Sequence, residues 1–472
     1  MTGLSAEGPG RLCLAPGAGA ERLLRAVGRA LGEAIGGQGP GVGDPGIVVG
    51  EDAPGGWGTL GEHVVRGLAG LGLRAWCCEG AAAAPMVAFE VLRRRAAGGI
   101  AIAAGAAGAP GVGITLLTEA GAPLPPALTE QIGRRAEAAG PGGREGEAPA
   151  GAPGGGWPRR IDPCPAYLER LRVLADLPTI AQVRLRVVLE TPSAAARGAL
   201  ATLLGEAGCE VTAPEAAGPA GPGGEAEAGL PGRIEALAGR VRETGAHLGL
   251  ATDGAAGRFV LVEAGGGAVA MDGLLALLLR HLVRMRGWRG GVGRAVGTSH
   301  LVDAVARQEG LPVYETDGNL AALGELVAQE TLILADDGEG GLTVRGHLPL
   351  ADGVLAGLLA AEVVAAGDGL SLGAQLETLQ AAVGPIRTRR LHLPVSAEAL
   401  AGVRARLERA PAALAGRAVV QVTRLAGVKL CLEDGGWVLL RPARAGLQLT
   451  VEAARDRDLE VLAAEASLWV AA

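Results

Sequence analysis

The sequence predicts an α/β protein of three similar α/β domains with mixed sheets, followed by a smaller C-terminal α+β domain. Three observations carry this. The 472 residues make about three domains at ~150 residues each, with room for a small fourth. One strand–turn–helix–strand grammar recurs near residues 47, 186 and 293. After residue 385 that grammar gives way to short strands joined by tight turns.

The first unit reads GIVVGEDAPGG, a helical stretch TLGEHVVRGLAGLGL, then RAWCCEG. The second reads RLRVVLETPSAA, ARGALATLLGEAGC and EVTAPE, and the third GRAVGTSH, LVDAVARQEG and LPVYET. In each, a β-branched strand leads to a turn of polar or small residues. A helix follows, with apolar residues at three- and four-residue spacing and a Gly near its end, and then another strand. Units of this length imply right-handed crossovers, hence parallel or mixed sheets. Composition marks the boundaries: 139–158, AGPGGREGEAPAGAPGGGWP, is a Gly/Pro/Ala linker or long surface loop, and 214–232 is a second such loop inside the second unit. Beyond residue 385, RTRRLHLPVSAEALAGVRARLERAP and the stretch after it read as a helix and several antiparallel strands, with EDGG marking one turn. The predicted domains run 1–158, 159–265, 266–384 and 385–472.

Apolar residues make up 49% of the chain and charged ones 20%, the balance of a globular protein. Aromatics are only 2%, so the core must be Leu, Val and Ala. The 80 glycines show no strict third-residue period, which excludes collagen. Lys429 is the single lysine, a bias that reads as a GC-rich genome rather than as function. The net charge is −7 with the signs interspersed, and no basic stripe carries interleaved aromatics, which argues against nucleic acid. The start, MTGLSAEGPGRLCLAPG, lacks the layout of a signal peptide, and the apolar run 353–366 is too short to span a bilayer. A cytoplasmic protein with no membrane partner is expected. Cys13, Cys77, Cys78, Cys164, Cys209 and Cys431 show no CxxC spacing and are expected as buried free thiols.

Ligands bind α/β sheets at the carboxyl ends of strands. The loops to inspect are 103–113 (AAGAAGAPGVG), 252–258 (TDGAAGR), 335–341 (ADDGEGG) and 441–447 (RPARAGL). Residues 99–113 contain no Ser, Thr, His, Asp, Glu or Cys.

Five stretches, DPCPAYLERLRVL (162–174), RETGAHLGLATDG (242–254), GTSHLVDAVARQEGLPVYET (297–316), GGLTVRGHLPLADGVLAGLLAAEVV (340–364) and DGGWVLLRP (434–442), carry a resemblance over nearly the whole length. The chain resembles the α-D-phosphohexomutases, which include phosphoglucomutase and phosphomannomutase. That resemblance implies four domains around a central cleft, a phosphoserine and a magnesium ion. Compared position by position, it also implies loss. Gly105 stands at the phosphoserine place of a TASHNP-like loop, and Ala106 at the histidine place. The magnesium loop DGDADR is represented by Asp253 to Arg258, with Ala255 and Gly257 where the second and third carboxylates belong. The sugar loop GEESGG aligns with Asp336 to Gly341, so its two glutamates become Asp337 and Gly338 and its serine becomes Glu339. The lysine of the preceding loop falls at Ala321. The phosphate loop RPSGTEP is represented by Arg441, Pro442, Ala443, Arg444, Ala445, Gly446 and Leu447. An N-terminal motif like GTSGWRG is not recognisable in CLAPGAGAE.

Phosphoryl transfer depends on positioning and charge stabilisation, so the expectation is a phosphohexomutase-fold pseudoenzyme with a binding, scaffolding or regulatory role. Two alternatives stand: an active phosphoglucomutase/phosphomannomutase interconverting hexose 1-phosphate and 6-phosphate, and a non-catalytic sugar-phosphate or anion sensor. No cofactor is expected, because one carboxylate without a phosphoserine falls short of what Mg2+ requires. The expected partners are an anion or hexose phosphate held weakly, and a protein partner or active paralogue. The candidate binding residues are Arg441, Arg444, Arg258, Glu339 and His300, with Asp253 a vestige of the metal site. Each has a plainer reading beside it. Asp253 can be a turn-former, and Arg258 its salt-bridge partner or a neighbour's. His300 and His347 can be satisfied buried histidines, and Arg441 with Arg444 a solvated basic turn.

Overall fold

The computed structural model describes residues 4–15, 19–36, 46–52, 59–69, 71, 73–104, 111–139, 158–214, 229–395, 402–403, 406–443 and 446–471. The chain divides into two compact units. One comprises Met1–Ala270, Leu320–Ala335 and Gly340–Leu372; the other comprises Met271–Asn319, Asp336–Glu339 and Gly373–Ala472.

In the first unit, β1 (Leu4–Gly8), β2 (Arg11–Leu14), β3 (Gly46–Asp52), β4 (Arg74–Cys78), β5 (Gly98–Ala104), β6 (Val112–Thr118) and β7 (Arg159–Ile161) form one sheet in the order β1-β2-β6-β5-β3-β4-β7. From β5 to β7 the strands run parallel, while β6, β2 and β1 run antiparallel. A parallel strand covered on both faces needs apolar residues throughout rather than in alternation, and β3 is buried along its whole length. Helices Ala20–Gly36 and Thr59–Leu68 close one face, burying Val27, Leu31, Val64 and Leu68 with Ile47, Ile100 and Leu116. Helix Ala84–Arg94 closes the other over Val48, Trp76 and Ala101.

The same unit holds β8 (Arg186–Glu190), β9 (Glu210–Thr212), β10 (Leu248–Thr252), β11 (Phe259–Glu263) and β12 (Ala268–Val269) in the order β12-β11-β10-β8-β9. Ser193 starts helix Ala194–Glu206, its Oγ accepting from Ala196 N at 2.9 Å. Asp352 starts helix Gly353–Ala365 in the same way, accepting from Val354 N at 3.0 Å and Leu355 N at 3.1 Å. Residues 353–363 of that helix are all buried, which explains a sequence apolar on every face but for Glu362, whose Oε2 accepts from Asp176 N at 3.0 Å. Gly357 lets it approach Leu200 and Leu250 closely.

Strands β13 (Gly291–Ala295) and β14 (Val313–Thr316) of the second unit pair in parallel, and β15 (Leu332–Asp336) and β16 (Leu342–Val344) follow in the chain. The three strand–helix–strand repeats predicted from sequence are present. The pairs β3–β4, β8–β9 and β13–β14 are each parallel across an intervening helix. In the second unit, β17 (Arg387–Leu393), β18 (Ala413–Leu414), β19 (Arg417–Thr423), β20 (Val428–Leu432), β21 (Trp437–Ala443) and β22 (Gly446–Ala453) make an antiparallel sheet in the order β17-β22-β21-β20-β19-β18. Helix Asp456–Ala471 covers it through Leu459, Leu462, Ala466 and Val470. The EDGG turn closes with Leu432 N donating to Gly436 O at 2.8 Å.

Three features depart from the sequence reading. β7 lies beyond the boundary at 158 yet belongs to the first sheet, and β12 lies beyond 265 yet belongs to the second. Helix Gly353–Ala365, assigned by sequence to the third domain, packs on helix Ala194–Glu206 of the second. For β7 and this helix the partner surface is far away in sequence, so local pattern could not reveal it; β12 is the short return strand of a hairpin with β11. The six cysteines are free, Cys13 and Cys78 buried and the rest half-buried. Burial pushes the Cys77 thiol up to about 11 and Cys78 higher still, so neither is a thiolate near neutral pH. Among the described residues no helix is long and apolar enough to cross a membrane.

Candidate functional site

In the first unit the candidate loop joins β10 to β11. Asp253 N donates to Arg258 O at 3.1 Å and closes the loop at its base. The Asp253 carboxylate turns inward. Its Oδ1 accepts from Gly257 N at 2.9 Å and Arg258 N at 3.2 Å. Its Oδ2 faces Arg11 Nη2 at 3.5 Å. Asp253 is 8% exposed and Arg11, the first residue of β2, is 32% exposed. Ala256 completes the turn in the left-handed region at φ 58°. A recess of about 30 Å³ lies beside the pair, lined by Glu7, Arg11, Thr115, Asp253 and Gly254 among others. That is room for about one water.

These residues do not fit a magnesium ion. Mg2+ takes several oxygen ligands in near-octahedral array, whereas the Asp253 carboxylate is shared between two backbone donors and a guanidinium, and Glu7 is the second carboxylate of the recess lining. Among the described residues no group of three or more His, Cys, Asp or Glu side chains could hold a metal. Gly105 and Ala106 lie outside the described residues, beyond the end of β5.

Arg258 does not pair with Asp253 through its side chain; its backbone N–H makes that contact. The Arg258 Nε is buried and lacks a hydrogen-bond partner among the described residues. Sequence reasoning missed Arg11, having searched for an N-terminal motif in CLAPGAGAE a few residues downstream. The available signal was a lone arginine opening the apolar strand RLCL.

In the second unit Asp336 is buried. Its carboxylate accepts from Thr298 Oγ1 at 2.7 Å, Gly338 N at 2.8 Å and Ala295 N at 3.4 Å. Burial drives this carboxyl up to about 7, against the pull of the Thr298 and Gly338 bonds. Gly338 takes φ 72°, and a Cβ there would stand 2.8 Å from the Ala295 side chain. The turn thus requires glycine at a position where the resemblance expects glutamate.

One residue on, Glu339 reaches Arg441 of β21, with Arg441 Nη2 donating to Glu339 Oε1 at 2.7 Å. The same nitrogen also donates to Gln448 Oε1. Both residues line a cleft of about 570 Å³ with Arg390, His392, Pro442 and Gln448. Arg390 donates to Asp272 Oδ2 at 3.1 Å and Oδ1 at 3.3 Å. Arg444, the other arginine of the predicted anion-binding pair, lies outside the described residues.

His300 is not in the lining of this cleft. Its Nε2 faces Lys429 Nζ at 3.0 Å, its backbone N–H donates to Glu452, and its ring lies 5.5 Å from that of Trp437. Burial, then the charge of Lys429, pushes it down to about 4, so the imidazole is neutral. Lys429 is only 1% exposed; it donates to Val296 O at 2.9 Å and Glu315 Oε2 at 3.1 Å. Its Nζ also sits 4.4 Å from the Trp437 ring centroid. Nothing in the sequence marked it beyond its being the single lysine. In the first unit, His347 is buried as its plainer reading holds, with Nε2 2.8 Å from Asp352 Oδ2. Tyr167 Oη donates to that same oxygen at 2.7 Å.

The family model for phosphoglucomutase/phosphomannomutase alpha/beta/alpha domain I matches residues 17–141, and that for domain III matches residues 270–382. A phosphoglucosamine mutase of Salinispora arenicola (strain CNS-205) is 30% identical over 429 residues, covering 90% of this chain and 88% of the relative. A phosphoglucosamine mutase of Salinispora tropica is 30% identical over 405 residues, covering 84% and 83%. The solved structure of a phosphoglucomutase/phosphomannomutase family protein from Burkholderia thailandensis superposes with a TM-score of 0.73 over 98% of this chain and 96% of that one. At 18% identity that likeness speaks for the fold.

Proposed function

The chain belongs to the α-D-phosphohexomutase family of phosphoglucomutases and phosphomannomutases, and we propose that it is a member without mutase turnover. Its role in this reading is to bind an anion or hexose phosphate weakly in the Arg441 cleft, as a sensor or as a scaffolding or regulatory subunit, in the cytoplasm. One observation carries the reading: the Asp253 carboxylate is committed to two backbone N–H groups and Arg11. So engaged, it supplies at most part of one of the several oxygen ligands that Mg2+ requires. The absence of any phosphoryl-accepting side chain in residues 99–113 supports it from the sequence side.

The names of the relatives favour a second reading, in which the chain turns over a hexosamine or hexose phosphate. Such a mutase cycles through a phosphorylated protein side chain. Incubation with a hexose 1,6-bisphosphate, followed by intact-mass analysis and peptide mapping, separates the two. The proposal expects no phosphoryl group on residues 99–113, and a stable adduct on that segment overturns it.

A further inference from the structure

Arg441 offers a guanidinium to the cleft, and it already holds a carboxylate. Its Nη2 donates to Glu339 Oε1 at 2.7 Å as well as to Gln448 Oε1. The two partners are not equally fixed: the guanidinium side chain is 13% exposed and the carboxylate 42%. Gly427, at φ 147°, lies under the arginine stem, where a Cβ would stand 2.9 Å from Arg441 Cγ and 2.3 Å from Leu440 O. Gly297 lies under its head, with a Cβ position 3.9 Å from Cζ. Arg441 is thus seated in the wall. Glu339 reaches it from a loop anchored one residue back by the Gly338 bond to Asp336.

We propose that Glu339 determines the specificity of this cleft: it is a built-in competitor that a ligand must displace from Arg441, so that doubly charged phosphoryl groups enter and singly charged carboxylates do not. This rests on the reading that the Arg441 cleft holds an anion. The argument is one of exchange. A carboxylate ligand replaces one carboxylate–guanidinium pair by a like pair and gains nothing. It must also outcompete a group tethered at an effective concentration on the order of millimolar. A phosphoryl dianion brings nearly twice the charge and three acceptor oxygens, which suit the arginine fork and leave others for Gln448 or Arg390. Once displaced, Glu339 swings to the open side at little cost, being exposed already.

Titration calorimetry on the full chain at fixed ionic strength and pH 8 tests this, with inorganic phosphate and acetate as probes. The wild type should bind phosphate weakly and acetate not measurably. Glu339→Gln and Glu339→Ala should each bind phosphate about ten-fold tighter and acquire acetate binding, and Arg441→Ala should bind neither. If both Glu339 variants keep the wild-type affinity and preference while Arg441→Ala abolishes binding, the site stands and the competitor role is wrong. If phosphate binding is indifferent to Arg441→Ala, the anion-site reading itself falls and the inference falls with it.

Discussion

Lys429 Nζ lies 3.0 Å from His300 Nε2, two basic groups face to face beneath the Trp437 ring. The contact works because the histidine is neutral and accepts, while the lysine charge is shared with Glu315 and the Val296 carbonyl. Lys429→Met keeps the apolar stem, leaves that carbonyl without this donor, and leaves Glu315 to Arg294 alone. We expect a loss of about 2–3 kcal/mol, below the usual cost of breaking a buried pair because Glu315 is partly exposed and keeps one cation. Urea unfolding at pH 7.5 measures it; a loss below about 0.5 kcal/mol, the range of ordinary surface substitutions, would show the network to be incidental.

The depressed His300 value gives an acid limb to stability. The folded state stays neutral down to about 4, whereas the unfolded chain takes up a proton near 6.5. The unfolded state therefore binds more protons between those values, and stability falls as pH drops through that window. His300→Gln should flatten the fall. The comparison is the difference between wild type and variant at pH 7.5 and pH 4.5, and an unchanged difference would contradict the assignment.

Asp336 gives the opposite slope. Its folded carboxyl keeps its proton up to about 7, while the unfolded one releases it near 3.8. Stability from this group is full below 3.8 and lost as pH rises to about 7. Asp336→Asn, which keeps an acceptor for Thr298 and Gly338, should therefore gain on the wild type between pH 4.5 and pH 7.5. A melting-temperature difference that does not change over this range would refute it.

Asp253 is expected to matter as an acceptor rather than as a charge. Asp253→Ala leaves the Gly257 and Arg258 N–H groups unpaired in a part-buried turn and should cost about 2 kcal/mol. Asp253→Asn retains an oxygen for both and loses only the half-exposed Arg11 pair, worth less than about 1 kcal/mol. Denaturant unfolding ranks the two. Equal losses would show that the charge matters through Arg11, and a rise in melting temperature with millimolar magnesium that Asp253→Asn abolishes would restore the metal-site reading.

The strand–helix–strand repeats were legible because their signals are local: GIVVGED, RVVLE and GVGRA are strands by composition, each followed by a helix with regular apolar spacing. The Asp253 turn was legible for the same reason. Long-range arrangements were not. β7 joins its sheet beside β4, some eighty positions earlier in the chain. Arg11 meets Asp253 across 242 positions of chain. His300 looks like a cleft residue in GTSH until β20 and β21, more than a hundred positions on, bring Lys429 and Trp437 against it. The Glu339–Arg441 pair joins two loops that were each found in the sequence, but no local pattern says that one neutralises the other.

The central claim, a phosphohexomutase fold without mutase turnover, is tested most directly by a coupled assay on the full chain. The substrates are glucose 1-phosphate, mannose 1-phosphate and glucosamine 1-phosphate, each with its 1,6-bisphosphate and magnesium. The account predicts no product above background with any of the three. Turnover that scales with protein concentration would contradict it.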